Sequence, residues 1–232
     1  MCGRFTLTET DTQKLALQLG IPEDAVTDDY RPRWNVAPTD PHWVLRLKRE
    51  ERELLSAKWG LVPFGSKDAK KAFRAINARA ETLAKRPAFR NAWKRHRRCA
   101  VPVDGFFEWV GPKEARQPVW FHRPDHSVFL LAGLYESWQR EPEHWQRTFT
   151  IITTEPNDLV RPIHDRMPVV LPADRLDDWL FQGNEDLEAA QAFLGPAPDS
   201  TLVATPVSPR VNSVKNDDAG CVETVEYALP TA

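Results

Sequence analysis

Proline constrains this chain more than any other residue. Twenty of its 232 residues are proline, against a usual share of about 5%, and they stand singly from end to end. Spread in this way they read as strand ends and rigid turns, not as a polyproline linker. The intervals between them predict short strands mixed with a few helices. Thr10-Asp11-Thr12-Gln13 fits a capping box. It is followed by Leu15, Leu17 and Leu19 and a stop at Gly20. Val44–Leu47 and Leu54–Trp59 flank a charged turn as a hairpin. Ala80–Arg95 has helical composition, bent at Pro87.

Further along, Cys99–Val103 and Gly105–Trp109 read as strands around a turn at Asp104, and Val119–His122 and Val128–Leu131 as a hairpin about Pro124-Asp125. Phe149–Thr153, Val169–Leu171 and Leu202–Val207 are apolar strands. Asp174–Phe181 and Asn184–Leu194 read as acidic surface helices. No repeat, low-complexity tract or linker interrupts the chain, so the prediction is one α+β domain over residues 1–232, built around a curled sheet.

Hydrophobic residues at 41% and charged residues at 28% exclude a disordered or fibrous protein. No apolar run reaches the roughly 20 residues that span a bilayer, and Met1-Cys2-Gly3-Arg4-Phe5 has no apolar secretory core. A cytoplasmic protein without membrane contact is expected. Cys2, Cys99 and Cys221 form neither a disulfide framework nor a paired metal motif, so no metal or cofactor is expected.

The formal net charge of −2 conceals an asymmetry. Between Lys67 and Arg98 stand twelve of the 31 Lys and Arg residues against two acids, a local net charge of +10, with Phe73, Phe89 and Trp93 interleaved. A solvated face is the bland explanation for a basic run. Basic residues this concentrated, with aromatics among them, point to a polyanion, nucleic acid before acidic protein.

Four places carry chemistry. Trimming of Met1 would leave Cys2 as an N-terminal 1,2-aminothiol. Its α-amine, with a reference pKa of about 7.7–8.0, is partly neutral at pH 7. Such a group can capture an aldehyde as a Schiff base and close it to a five-membered thiazolidine. For an arbitrary chain, position 2 is simply a tolerated small residue. Ala75–Thr82, inside the basic stretch, could be an ordinary helix entry. Glu108 sits among aromatic residues in Phe106-Phe107-Glu108-Trp109, where burial would raise its pKa as a general acid requires; pairing with an arginine is the plainer alternative. His164 is flanked by an acid and a base in a loop, which alone is a weak signal.

Seven segments, in order from first residues to near the last, together resemble the SOS-response-associated peptidase (SRAP) family of abasic-site processing proteins. They are Met1–Phe5, Trp34-Asn35-Val36-Ala37-Pro38-Thr39, Trp59-Gly60-Leu61-Val62-Pro63, Asn77-Ala78-Arg79-Ala80-Glu81-Thr82, Asp104–Trp109, His164-Asp165-Arg166-Met167-Pro168 and Val211–Asn216. The resemblance implies a barrel-like, mostly antiparallel sheet flanked by helices, with a basic DNA groove. It implies a monomer that acts at the nucleoid and links covalently, through a Cys2 thiazolidine, to abasic sites in single-stranded DNA. Carried over by position, Cys2 crosslinks, Asn77 positions amine and sugar, and Glu108 and His164 form the acid/base pair. Arg4, Arg79, Arg86 and Arg166 match phosphate contacts. The family's wedge tryptophan is absent after Pro63, and Phe64 stands there as a candidate replacement. Two other readings remain at this stage: a cysteine peptidase with Cys2 as thiolate and His164 as base, and a passive single-strand-binding module.

Overall fold

The computed structural model describes residues 2–27, 29–66, 75–141, 144–181 and 187–230. Lys67, Lys70, Lys71, Phe73 and Arg74 of the basic run, and the start of the second acidic helix at Asn184, lie outside the described residues.

The strands in chain order are β1 (Phe5–Leu7), β2 (Arg33–Val36), β3 (Pro41–Lys48), β4 (Glu51–Trp59), β5 (Asn77–Arg79), β6 (Arg98–Val103), β7 (Gly105–Val110), β8 (Gln117–His122), β9 (Phe129–Glu141), β10 (His144–Thr154), β11 (Met167–Pro168) and β12 (Val203–Pro206). The helices are α1 (Thr12–Leu19), α2 (Arg90–Lys94), α3 (Leu176–Leu180) and α4 (Leu187–Gln191). The α+β expectation holds. Pairings β10–β4, β4–β3, β3–β6, β6–β9 and β9–β10 close on themselves as a small barrel, and β5 and β11 extend it along β10. A second sheet runs β12-β8-β7-β1-β2. All these pairings are antiparallel except β10 with β4 and with β5.

Strand β6, the first part of β9 and the second half of β10 are buried on both faces, which explains why they read as unbroken apolar runs rather than alternating ones. Cys99, Val101, Phe129, Leu131 and Ile151 join one core with Phe5, Phe106 and Phe121 of the second sheet. Their sequence neighbours Ala100, Leu130, Ala132 and Ile152 face the other way, onto a second core built with Leu15, Leu19, Trp93 and Trp179 of the helices. The α3 segment is therefore no surface helix: Leu176, Trp179 and Leu180 are buried.

Two predicted pairings are corrected. Strands β6 and β7 do not pair with each other, nor do β8 and β9; in each case the chain crosses from one sheet to the other. Buried Asp104 makes the first crossing possible. Its carboxylate accepts from the Thr6 hydroxyl at 2.5 Å, the Thr8 amide at 2.5 Å and the Thr8 hydroxyl at 2.6 Å, tying the switch to the end of β1. Gly105 follows because a Cβ there would lie 1.9 Å from the Trp120 indole nitrogen. The β3–β4 hairpin forms as expected, with a tighter turn, Arg49-Glu50, in which both residues have positive φ. Ala80–Arg95 yields a 3₁₀ turn over Ala80–Thr82 and then only the short α2.

The basic run is not one uniform face. Arg79, Lys85, Arg86, Arg90, Lys94 and Arg95 are exposed, but Arg97 pairs with buried Glu136. Arg98, 1% exposed, donates to the carbonyls of Trp179 and Phe181 at the end of α3. Among the described residues, no helix is long and apolar enough to cross a membrane.

Candidate active site

Strand β1 threads between β2 and β7, which carries Cys2 and Gly3 along the mouth between the two sheets. The Phe107 amide donates to the Arg4 carbonyl at 3.0 Å, holding the N-terminal residues beside the β7 segment that bears Glu108. Cys2 is 0% exposed and packs in the core shared by the sheets. On the barrel side, β5 runs parallel to β10 with Asn77 level with Ile151. Asn77 Nδ2 donates to the Cys2 carbonyl at 2.7 Å. Its Oδ1 is buried and finds no hydrogen-bond partner among the described residues, which leaves an acceptor in the site.

Glu108, 3% exposed, has its carboxyl pushed up to about 7, chiefly by burial and further by the charge of Asp165. At neutral pH it is therefore divided between acid and carboxylate, as a proton shuttle must be. His164 Nε2 stands 3.9 Å from Glu108 Oε2. Its Nδ1 accepts the Arg166 amide at 2.9 Å and lies 3.0 Å from Asp165 Oδ1. Burial lowers the His164 pKa, with Asp165 pulling the other way. The Cys2 thiol is raised by burial and then by the charge of Glu108. The arrangement thus holds a neutral thiol, a neutral imidazole and a half-protonated carboxyl together, and it does not stabilise a thiolate.

The five other sequence candidates take different surroundings. Arg4 Nη1 donates to Asn35 Oδ1 at 2.7 Å and the Val211 carbonyl at 2.8 Å, and its guanidinium lies 6.0 Å from the Trp109 ring centre. Arg166 is engaged by both Glu81 oxygens, at 2.6 and 3.0 Å, and by the Thr153 carbonyl at 2.6 Å. Arg79 and Arg86 are exposed. Phe64 is 50% exposed, with the guanidinium carbons of Arg95 and Arg97 at 5.2 and 5.9 Å from its ring centre. Among the described residues no cluster of His, Cys, Asp or Glu suits a metal ion.

The family model described as SOS response associated peptidase (SRAP) matches residues 1–214. The chain belongs to that family. Similar SRAP-related proteins include abasic site processing protein YoqW of Bacillus subtilis (strain 168), 37% identical over 226 residues that cover 97% of this chain and all of the relative. YedK of Escherichia coli (strain K12), also an abasic site processing protein, is 32% identical over 229 residues, covering 97% of this chain and all of the relative. HMCES of Gallus gallus, of the same description, is 28% identical over 235 residues, which cover 87% of this chain and 68% of that protein. A solved structure from Bacteroides thetaiotaomicron shares the fold, with a TM-score of 0.82 at 24% identity, covering 97% of this chain and all of that one.

Within this SRAP chain, sequence reading quoted Asn35 as part of a motif without seeing its task. Buried Asn35 donates Nδ2 to the carbonyls of Val211, Ser213 and Asn216 at 3.2, 3.0 and 2.7 Å. Asp217 accepts from the amides of Trp34 and Asn35 at 2.6 and 2.9 Å and pairs with Arg33. A C-terminal clasp thereby anchors Arg4, two residues from Cys2. A polar amide between apolar Trp34 and Val36 in a short strand is the available signal.

Proposed function

We propose that this protein processes abasic sites, joining Cys2 covalently to the ring-opened sugar aldehyde in single-stranded DNA once Met1 is removed. The observation that carries the reading is the Asn77 amide on the Cys2 carbonyl beside a carboxyl held near pKa 7. Relatives 37% and 32% identical over nearly the whole chain bear the name abasic site processing protein, which supports it.

The sugar of an abasic site is mostly a closed hemiacetal. Opening breaks the C1′–O4′ bond; O4′ gains a proton as the C1′ hydroxyl loses one. Glu108 exchanges these protons, and His164 Nε2 relays to it. The neutral α-amine, held by Asn77, adds to the aldehyde, and the carbinolamine loses water with a proton from Glu108. The Cys2 sulfur then bonds to the carbon of the resulting iminium ion, the C=N electron pair returns to nitrogen, and the thiol proton restores Glu108. One water is released overall. A neutral thiol suffices for this last step, whereas a peptidase would need the thiolate that burial and Glu108 disfavour. Arg79, Arg86, Arg4 and Arg166 hold phosphates, the last by exchanging its Glu81 contact, and Phe64 offers a face for base stacking.

The test separates the two functional groups of Cys2. Cys2→Ala keeps the α-amine, so borohydride is expected to trap it on abasic single-stranded DNA in a denaturing gel. Without the sulfur, no adduct is expected to survive untreated, whereas wild type survives either way. Failure to trap Cys2→Ala despite normal DNA binding refutes the amine-first mechanism, and peptide cleavage by wild type without DNA would favour the peptidase.

A further inference from the structure

Two unusual residues meet in one cleft whose lining includes none of Cys2, Asn77, Glu108 and His164. Trp145, at the start of β10, leaves 57% of its surface exposed. Thr39, between β2 and β3, has a φ of +79°, a region that β-branched residues rarely occupy. Such strain persists only where the surroundings impose it, and it gathers at ligand sites. Both residues line a cleft of about 490 Å³ whose wall also contains Pro41, Ser56, Lys58 and Arg147. The lining carries two cations and no acid.

Two hydrogen bonds link the cleft to the site. The Thr39 amide donates to the Trp59 carbonyl at 3.0 Å, and the Trp59 indole donates to Ile76, the neighbour of Asn77, at 2.8 Å. Trp145, Gln146 and Arg147 of the cleft wall lie on β10. Ile151, opposite Asn77, and Trp145 are roughly 20 Å apart at about 3.3 Å per strand residue.

We propose that this cleft carries the single strand out of the active site on one side of the lesion, with a nucleobase stacked on Trp145 and phosphates against Lys58 and Arg147. An exposed indole between two cations matches the base-and-backbone chemistry of single-stranded DNA. The inference rests on DNA being the substrate, as proposed above, but it makes no use of the crosslink.

The experiment uses labelled single strands containing a tetrahydrofuran abasic analogue, which has no aldehyde and cannot react. One strand has about two nucleotides 5′ and about ten 3′ of the analogue; the other has the reverse. Fluorescence anisotropy is read for wild type, Trp145→Ala, Trp145→Phe and the double variant Lys58→Gln/Arg147→Gln. The alanine variant is expected to lose about 5- to 150-fold in affinity, the range of one lost base–aromatic stack, for one of the two strands only, and the phenylalanine variant to recover most of it. The double variant should flatten the slope of log K against log salt by about 1.4, since each single-strand phosphate contributes about 0.7. Equal losses on both strands would overturn the proposal, because a damaged fold has no polarity. No loss on either would overturn it too and would leave Trp145 to a protein partner. If wild type fails to crosslink natural abasic DNA but the one-sided loss is found, the crosslinking mechanism falls and the cleft stands.

Discussion

Glu108 shows how one residue's surroundings decide its chemistry. In water its carboxyl would be ionised throughout the neutral range; at 3% exposure it titrates near 7. The folded-state pKa lies above the ordinary value of 4.5, so the folded protein binds the extra proton. The stabilisation this gives is complete below about pH 4.5 and is lost as pH rises through about 7. Some 2.5 pKa units at 1.36 kcal/mol each make this on the order of 3 kcal/mol. Glu108→Gln cannot ionise. Urea unfolding at about pH 5 and about pH 8 should therefore show wild type losing stability across the interval and the variant losing much less. The same variant should form the DNA adduct about 10²- to 10⁴-fold more slowly, measured by denaturing gel. A wild-type adduct rate combined with an unchanged pH dependence would return Glu108 to a purely structural part.

At the scale of single elements, α1 separates a sequence motif from the geometry that uses it. Thr10 and Gln13 have the spacing of a capping box, but the helix begins one residue later. Asp11 is the cap, and its Oδ1 accepts from the Gln13 and Lys14 amides at 3.0 and 3.1 Å. The Gln13 side chain takes no part in the cap; its Nε2 donates to Glu23 Oε1 at 2.9 Å instead. Asp11→Ala is expected to cost about 1 kcal/mol, and Thr10→Ala close to nothing. The urea midpoints of the two variants decide this, and the reverse order would restore Thr10 as the cap. The stop at Gly20, with φ of +64° and its amide on Leu17, is where the sequence puts it. Both ends of α1 were nearly legible because caps are local: one side chain and one φ angle determine each.

The whole molecule depends on joining its ends. Asn35 binds three carbonyls of the C-terminal clasp and receives Arg4. Those partners come from residues far apart in the chain and meet two residues from Cys2. Asn35→Ala would remove the three hydrogen bonds to the clasp and the one from Arg4, at an expected cost of about 2–4 kcal/mol. It should also release the segment around 211–217 as the first point of proteolytic cleavage. Limited proteolysis with mass spectrometry, beside a urea titration, checks both; a variant as resistant and as stable as wild type would show that the clasp holds by other contacts.

Scale also divides what could be read in advance. The apolar runs at Cys99–Val103 and Phe149–Thr153, the Gly20 stop and the charged β3–β4 turn follow from residue types within a few positions, so composition and spacing determined them. Cys2, Glu108 and His164 stand out in the sequence because each chemistry needs a particular functional group, and Asn77 is a candidate only through the family resemblance; the structure brings the four together. Sheet membership was not legible. Two strands joined at Asp104 look like a hairpin in sequence, and only Thr6 and Thr8, nearly a hundred residues earlier, send them to different sheets. Nor could a count of charges tell that Arg98 is spent on the carbonyls of α3 while Arg95 stays in solvent beside Phe64. Sequence alone determined which groups the protein has to work with. Tertiary structure decided which are buried, protonated and aligned, because desolvation and hydrogen bonding depend on neighbours that the chain brings in from a distance.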